Sequence, residues 1–279
     1  MNEGWTKMST TLKIKSYYNS LTKTEKKAAD YIVGNRNDII YCSVTELADK
    51  ADVGETTVLR LCRKIGFTGF QDFKLALAQE TVMMTAPVES EQSIISKTAA
   101  RHLKILEESR QLLDEEQVEK AVQIMLSSKN NFFFGVGSSG LTALQAVNVF
   151  TRIGIICDSK QDSHFQAISA SLLDEDDCAI GISVSGSTKD TIRNLEIAKK
   201  AGAKIICITS NRKSPITKLA DIVLLTSSKE GPLEGSSIVS QIAQLSVIDI
   251  LHSAIMNKRE DMAQTVRKVT AKAVSDKMY

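Results

Sequence analysis

Two hydroxyl-rich stretches hold the side chains of this 279-residue chain best suited to chemistry. The first, Gly135-Val136-Gly137-Ser138-Ser139-Gly140, follows an apolar run and opens a helical pattern; the second, Ser183-Val184-Ser185-Gly186-Ser187-Thr188, does the same further along. Glycines let backbone N–H groups approach an anion, helix N-termini add positive potential, and hydroxyls add short directional hydrogen bonds without a buried cation. Either loop alone reads equally well as a solvated turn with a serine N-cap. Together they suit a compact pocket for one phosphate.

The first loop is also a literal G-x-G-x-x-G, and Asp158 ends the next apolar run at about the distance a ribose contact requires, so a dinucleotide fold is a competing expectation. Paired hydroxyls where a dinucleotide needs mainly bare backbone, and the second hydroxyl loop, weigh against it.

A different chemistry is encoded nearer the N-terminus. Ala48 is small enough for a close helix crossing, Val53 can plug a turn at Asp52-Val53-Gly54, and Val58 packs back ten residues after Ala48, which is helix-turn-helix spacing. On the second helix Val58, Leu61, Cys62 and Ile65 share one stripe. Thr56, Arg60, Arg63 and Lys64 then turn outward, with Thr57 at the margin. Arginine can pair bidentately with guanine, while lysine and threonine suit phosphate contacts. A merely solvated basic face is the alternative; the small residue, tight turn and basic face coinciding favour double-stranded DNA.

The elements that must position these groups follow from periodicity. Up to residue 80 the apolar residues recur at three and four, which predicts an all-helical segment with a capping box at Thr22 and Glu25, a helix ending near Gly34-Asn35, two short helices over 43–64 and a last one over 70–80. Pro87 and small polar residues mark a linker over 81–93. Beyond it, two amphipathic helices (93–113 and 115–128) precede short apolar runs at 131–134, 154–157, 178–183, 204–209 and 221–226. Helical patterns over 138–152, 162–172, 188–201 and 215–220 alternate with them. Continuous apolar strands alternating with helices predict a doubly wound, mainly parallel five-stranded sheet with binding loops at the strands' C-terminal ends.

Over about 12–79 the chain resembles the helix-turn-helix domain of RpiR-type bacterial regulators. The likeness is carried by Leu21-Thr22-Lys23-Thr24-Glu25-Lys26-Lys27-Ala28-Ala29-Asp30-Tyr31-Ile32, by Leu47-Ala48, by Thr57-Val58-Leu59-Arg60-Leu61-Cys62-Arg63-Lys64-Ile65-Gly66-Phe67, and by Gly69-Phe70-Gln71 with Phe73-Lys74. Gly54 stands where a serine often opens the second helix, so one capping hydroxyl is missing. Over about 112–252 the two hydroxyl loops resemble those of the sugar isomerase (SIS) domain. That resemblance implies that Ser139, Ser183, Ser185 and Thr188 hold the phosphate of a phosphosugar, that Ser138 lines the same loop, and that Glu234 occupies roughly the place of an isomerase's acid/base carboxylate.

The combined expectation is an all-α helix-turn-helix domain at 1–80, a linker at 81–93 and an α/β SIS domain at 94–279. The chain would be a phosphosugar-responsive transcription regulator that binds a palindromic operator as a homodimer or homotetramer. Pairing is expected to bury the faces around 143–150 and 242–250. The alternatives are a phosphosugar isomerase with an accessory helical domain and an NAD-dependent redox sensor. Aldose-ketose isomerisation needs a placed general base, and the three histidines, His102, His164 and His252, offer at best His164 near the pocket. No catalytic residue, cofactor or metal is therefore expected.

Composition sets the outer bounds. Thirty-five Lys+Arg against 33 Asp+Glu excludes a strongly basic or acidic binder, so a nucleic-acid surface must be local. Cysteines 42, 62, 157, 178 and 207 lack Cys-x-x-Cys spacing, which disfavours a disulfide framework or zinc site. With no apolar run near the roughly 18–20 residues of a membrane span and no secretory leader, a cytoplasmic protein without a membrane partner is expected.

Overall fold

The computed structural model describes residues 9–84, 93–228, 238–273 and 275, which fall into two compact units divided between residues 93 and 94. The first unit contains α1 (Thr10–Tyr17), α2 (Lys23–Gly34), α3 (Arg36–Ile39), α4 (Val44–Lys50), α5 (Glu55–Lys64) and α6 (Phe70–Met84). Local chemistry sets where these helices start. The Thr22 hydroxyl accepts from the Glu25 N–H (3.3 Å) and the Glu25 carboxylate accepts from the Thr22 N–H (2.9 Å), and Ser43 with Glu46 repeats the reciprocal pair at α4. Ile14, Ile32, Leu47, Leu61, Ile65, Phe73 and Leu77 fill a common core, where truncating one leucine to alanine costs about 2–5 kcal/mol.

Between α4 and α5 the chain turns at Asp52, whose φ is +53°, and the Val53 N–H returns to the Ala48 carbonyl at 2.9 Å. A left-handed aspartate is tolerated because its short polar side chain can form hydrogen bonds that offset the Cβ clash, and here it accepts from the Lys27 ammonium at 2.8 Å. Val58 is fully buried and Val53 packs against the same core. Helix α6 extends beyond the expected residue 80 to Met84, and residues 85–92 of the expected linker lie outside the described residues.

The second unit opens with α7 (Ile94–Leu112) and α8 (Glu115–Ser127). It continues β1 (Asn131–Phe134), α9 (Ser138–Thr151), β2 (Cys157–Ser159), α10 (Ser163–Ser171), β3 (Cys178–Ile182), α11 (Lys189–Lys200), β4 (Lys204–Thr209), β5 (Ile222–Leu225), α12 (Ile238–Lys258) and α13 (Glu260–Lys272). The five strands pair in parallel in the order β2-β1-β3-β4-β5. Alternate strand residues feed two separate cores. Phe133, Ile180 and Ile206 meet α8, α9 and α12 on one face, while Phe134, Ala179 and Ile205 meet α10 and α11 on the other. Both faces are covered, which explains why the strands read as continuous apolar runs.

Two expected elements are displaced. Only Cys157 of the apolar run 154–157 enters β2, because Gly154 at φ +81° ends α9: its N–H reaches the Thr151 carbonyl and the Ile155 N–H reaches that of Phe150. This is a Schellman cap whose Ile155 plugs the core beside Phe150, so the strand begins three residues later than expected. Asp158 thus lies within the strand opposite Phe132, 2.6 Å from the Lys160 ammonium, rather than at the strand's end. The expected helix over 215–220 is only a 3-10 turn, Ile216–Lys218.

The faces around 143–150 and 242–250 divide, with Leu144, Ile242, Leu245 and Ile250 only half-buried. Ala143, Ala146, Phe150, Val247 and Ile248 already lie in the unit's own core. Helix α12 is long and apolar enough to cross a membrane by length and composition, but it buries Val239, Ala243, Val247, Leu251 and Ile255 against the unit's other elements.

Candidate functional sites: a basic helix face and a hydroxyl-lined crevice

On α5 the apolar stripe is buried as its spacing requires, and Thr56, Arg60 and Arg63 are exposed on the opposite face. Thr57 lies on the buried side of the margin, at 7% exposure. Lys64 departs from the expectation that it faces outward. It is half-buried, and its ammonium donates to the Ser20 carbonyl at 2.6 Å and the Glu25 carboxylate at 3.1 Å. Being at the last turn of α5 beside the start of α2, it ties the two helices together. Arg60 touches the same carboxylate through Nε at 3.5 Å with its side chain 63% exposed. Gly54 gives α5 no side-chain cap.

Glu25 is therefore the hub of this unit. Burial pushes its carboxyl up, but the Thr22 N–H and the Lys64 ammonium outweigh that and hold it below the ordinary carboxylate range. Lys74 is another buried charge. It donates to the Cys42 carbonyl at 2.8 Å, and burial brings its ammonium down to about 8.

In the second unit, the order β2-β1-β3-β4-β5 reverses direction between β1 and β3, which places a crevice at the C-terminal ends of those two strands. The loops that leave them are the two hydroxyl loops. Gly137, at φ +60°, caps α9 without a side-chain bond, and Thr188 caps α11 likewise, so neither helix start is closed by its own cap side chain. A Cβ at Gly135 would stand 2.7 Å from the Ser139 carbonyl oxygen, so the loop folds back on its own helix only with glycine there.

The hydroxyls are held in defined roles. Buried Ser139 accepts from Gln244 Nε2 at 3.1 Å, Ser183 accepts from the Gly186 N–H at 3.1 Å, and Ser185 accepts from the Ser187 N–H at 3.2 Å. Ser183 and Thr188 share a hydroxyl-hydroxyl bond of 3.0 Å. Ser138 is half-buried at the start of α9. From the loop after β4, Asn211 Nδ2 donates to the Ser185 carbonyl at 3.0 Å and braces the serine loop.

Ser138, Ser139, Ser183, Ser185 and Thr188 thus occupy the two loops flanking one crevice, whereas Glu234 lies outside the described residues. His164 is exposed in the first turn of α10, above its capping residue Asp162. Motif spacing missed the buried amides. Gln166 and Gln244 are at most 1% exposed, and their only sequence signal is an amide on the buried face of a helix, four residues before Ala170 and three before Val247.

Comparison with known proteins agrees with both halves of this geometry. The rpiR-family helix-turn-helix domain matches residues 8–83 and the SIS domain matches residues 124–254. An HTH-type transcriptional regulator of Haemophilus influenzae is 39% identical over 94% of this chain and 95% of its own length. The bifunctional protein glk of Paraburkholderia xenovorans is 34% identical over 95% of this chain but only 43% of its own length. Among solved structures, Vibrio vulnificus NanR in complex with ManNAc-6P superposes with a TM-score of 0.91 at 27% identity, covering 96% of this chain and 98% of NanR. A near full-length match to a helix-turn-helix regulator, with both domains in the same order, establishes that the chain belongs to the RpiR family of HTH-type transcriptional regulators that carry a SIS domain.

Proposed function

We propose that this regulator binds a phosphosugar in the β1/β3 crevice and that the bound ligand changes its affinity for a palindromic DNA operator. The observation that carries the reading is the polarity of the loop hydroxyls. Ser139 and Ser185 already accept N–H bonds, and the Ser183–Thr188 pair keeps one proton beyond its mutual bond, which leaves O–H groups for a ligand that only accepts. A phosphate is such a ligand, and the uncapped starts of α9 and α11 add N–H groups and positive potential. The solved complex of NanR with ManNAc-6P supports the same ligand class.

On the DNA side, Thr56, Arg60 and Arg63 are the groups proposed to enter the major groove, with Lys64 and Thr57 supporting the helix from behind. Two-fold operators call for paired recognition helices, so a homodimer or homotetramer working in the cytoplasm is part of the proposal. We read the crevice as a receptor rather than a catalyst. Its described lining offers hydroxyls, amides and backbone N–H groups, which bind an anion but do not shuttle a proton between carbons at neutral pH. The domain limits 1–80, 81–93 and 94–279 belong to the same proposal and are checked by limited proteolysis.

Titration calorimetry with ManNAc-6P, fructose 6-phosphate and NADH tests the ligand class. Ser183→Ala with Ser185→Ala should remove the sugar-phosphate response while operator footprinting is retained. Binding of NADH in place of every sugar phosphate would overturn the reading.

A further inference from the structure

We propose that Gln166 and Asn194 are positioning residues that set the spacing between the two hydroxyl loops, and so the affinity of the crevice for a phosphate group. The proposal rests on the reading of those loops as an anion receptor. Gln166, in α10, is fully buried. Its Nε2 donates to the Gly135 carbonyl at 2.9 Å and to the Lys160 carbonyl at 2.8 Å, and its Oε1 accepts from Asn194 Nδ2 at 3.0 Å.

Backbone carbonyls can only accept, so this amide has one possible orientation: nitrogen toward the two carbonyls, oxygen toward Asn194. Asn194 is 2% exposed on α11, the helix that the serine loop opens. The path therefore runs from Gly135, where the glycine loop leaves β1, through two side-chain amides to the helix behind the serine loop. A second branch holds Lys160, where the chain leaves β2. Two strand ends and helix α11 are pinned by one glutamine. Inside a protein such bonds are strong, and losing the donor takes away the buried Gly135 carbonyl's glutamine partner. Neither residue belongs to a loop motif, and neither lies in the hydroxyl loops themselves.

Gln166→Glu is the discriminating variant, because it keeps the shape and removes the donor. An ionised carboxylate would face two carbonyl oxygens, so either the Gly135 loop moves away or the carboxyl takes up a proton, which restores one donor. The defect should therefore depend on pH in a way that a simple loss of folding would not.

Full-length protein is titrated with ManNAc-6P and with inorganic phosphate, each variant being compared with wild type at the same pH because phosphate itself titrates, and melting temperatures are recorded in parallel. Gln166→Glu should bind ManNAc-6P roughly tenfold or more weakly at about pH 8 and regain most of that loss at about pH 5.5. Asn194→Ser, which leaves both carbonyl bonds in place, should weaken binding about threefold and add less than its full effect in the double variant. Affinities equal to wild type at every pH, or a lowered melting temperature with unchanged affinity, would overturn the proposal. Should Gln166→Glu fail to fold, an unchanged affinity in Asn194→Ser overturns it on its own. Wild type that binds neither probe would instead remove the receptor reading, and this inference with it.

Discussion

Gln244 and Ser139, 105 positions apart in the chain, meet at 3.1 Å, with the glutamine amide nitrogen donating to the serine hydroxyl and its oxygen accepting from Thr142 at 3.0 Å. Helix α12 thereby dictates which way Ser139 can give its own proton. Gln244→Glu replaces the donor by an acceptor that takes the Ser139 proton and adds a negative charge beside the crevice. Phosphosugar affinity should fall by about tenfold or more. Calorimetry reads this directly, and an unaltered Kd would mean that Ser139 does not donate to the ligand.

Gly135 is the backbone counterpart of that contact. Gly135→Ala would place a Cβ 2.7 Å from the Ser139 carbonyl oxygen, with no flexible side chain to yield. The variant should lose about 1–3 kcal/mol of stability and its sugar-phosphate response, measured by chemical denaturation and by the ligand-induced change in melting temperature.

Arg60 and Lys64 separate recognition from architecture on one helix. Arg60→Ala should cost about 1–3 kcal/mol on the cognate operator and leave sugar binding intact. Lys64→Ala should instead lower the melting temperature, because the Glu25 carboxylate and the Ser20 carbonyl lose their shared donor. A footprint abolished by Lys64→Ala in protein of normal stability would assign that lysine to DNA after all.

Acid should weaken the first unit through Glu25. Its folded carboxyl lies below the unfolded value, so the folded chain holds fewer protons. Its contribution is complete above the unfolded value of about 4.3 and is lost as pH falls through the lower folded one. Glu25→Gln should cost about 2–4 kcal/mol at neutral pH and flatten the acid limb of the stability curve.

Alkali should act the opposite way through Lys74, whose ammonium is brought from 10.5 to about 8 by burial. Between those values the unfolded chain holds more protons than the folded one. Stability should therefore rise with pH across that window, by roughly 3 kcal/mol at most. Lys74→Met should abolish the rise, as urea denaturation at a series of pH values would show.

Sequence spacing by itself determined the helix starts, the recognition stripe and the two hydroxyl loops, because each depends on neighbours within one turn or one strand. Thr22 with Glu25 and Ser43 with Glu46 are complete as local motifs, and Val58, Leu61, Cys62 and Ile65 share a face by helical period alone. Tertiary structure decided what local pattern leaves degenerate. The run from Gly154 to Cys157 is apolar enough for a strand, and only the return of Gly154 and Ile155 to α9 turns its start into a cap. Lys64 is basic on a basic face, and only the Ser20 carbonyl and Glu25, both distant in sequence, turn it inward. The amides of Gln166, Asn194 and Gln244 carry no motif, since their partners other than Lys160 lie 28 to 105 residues away and their worth comes from burial, which only the packed layers create.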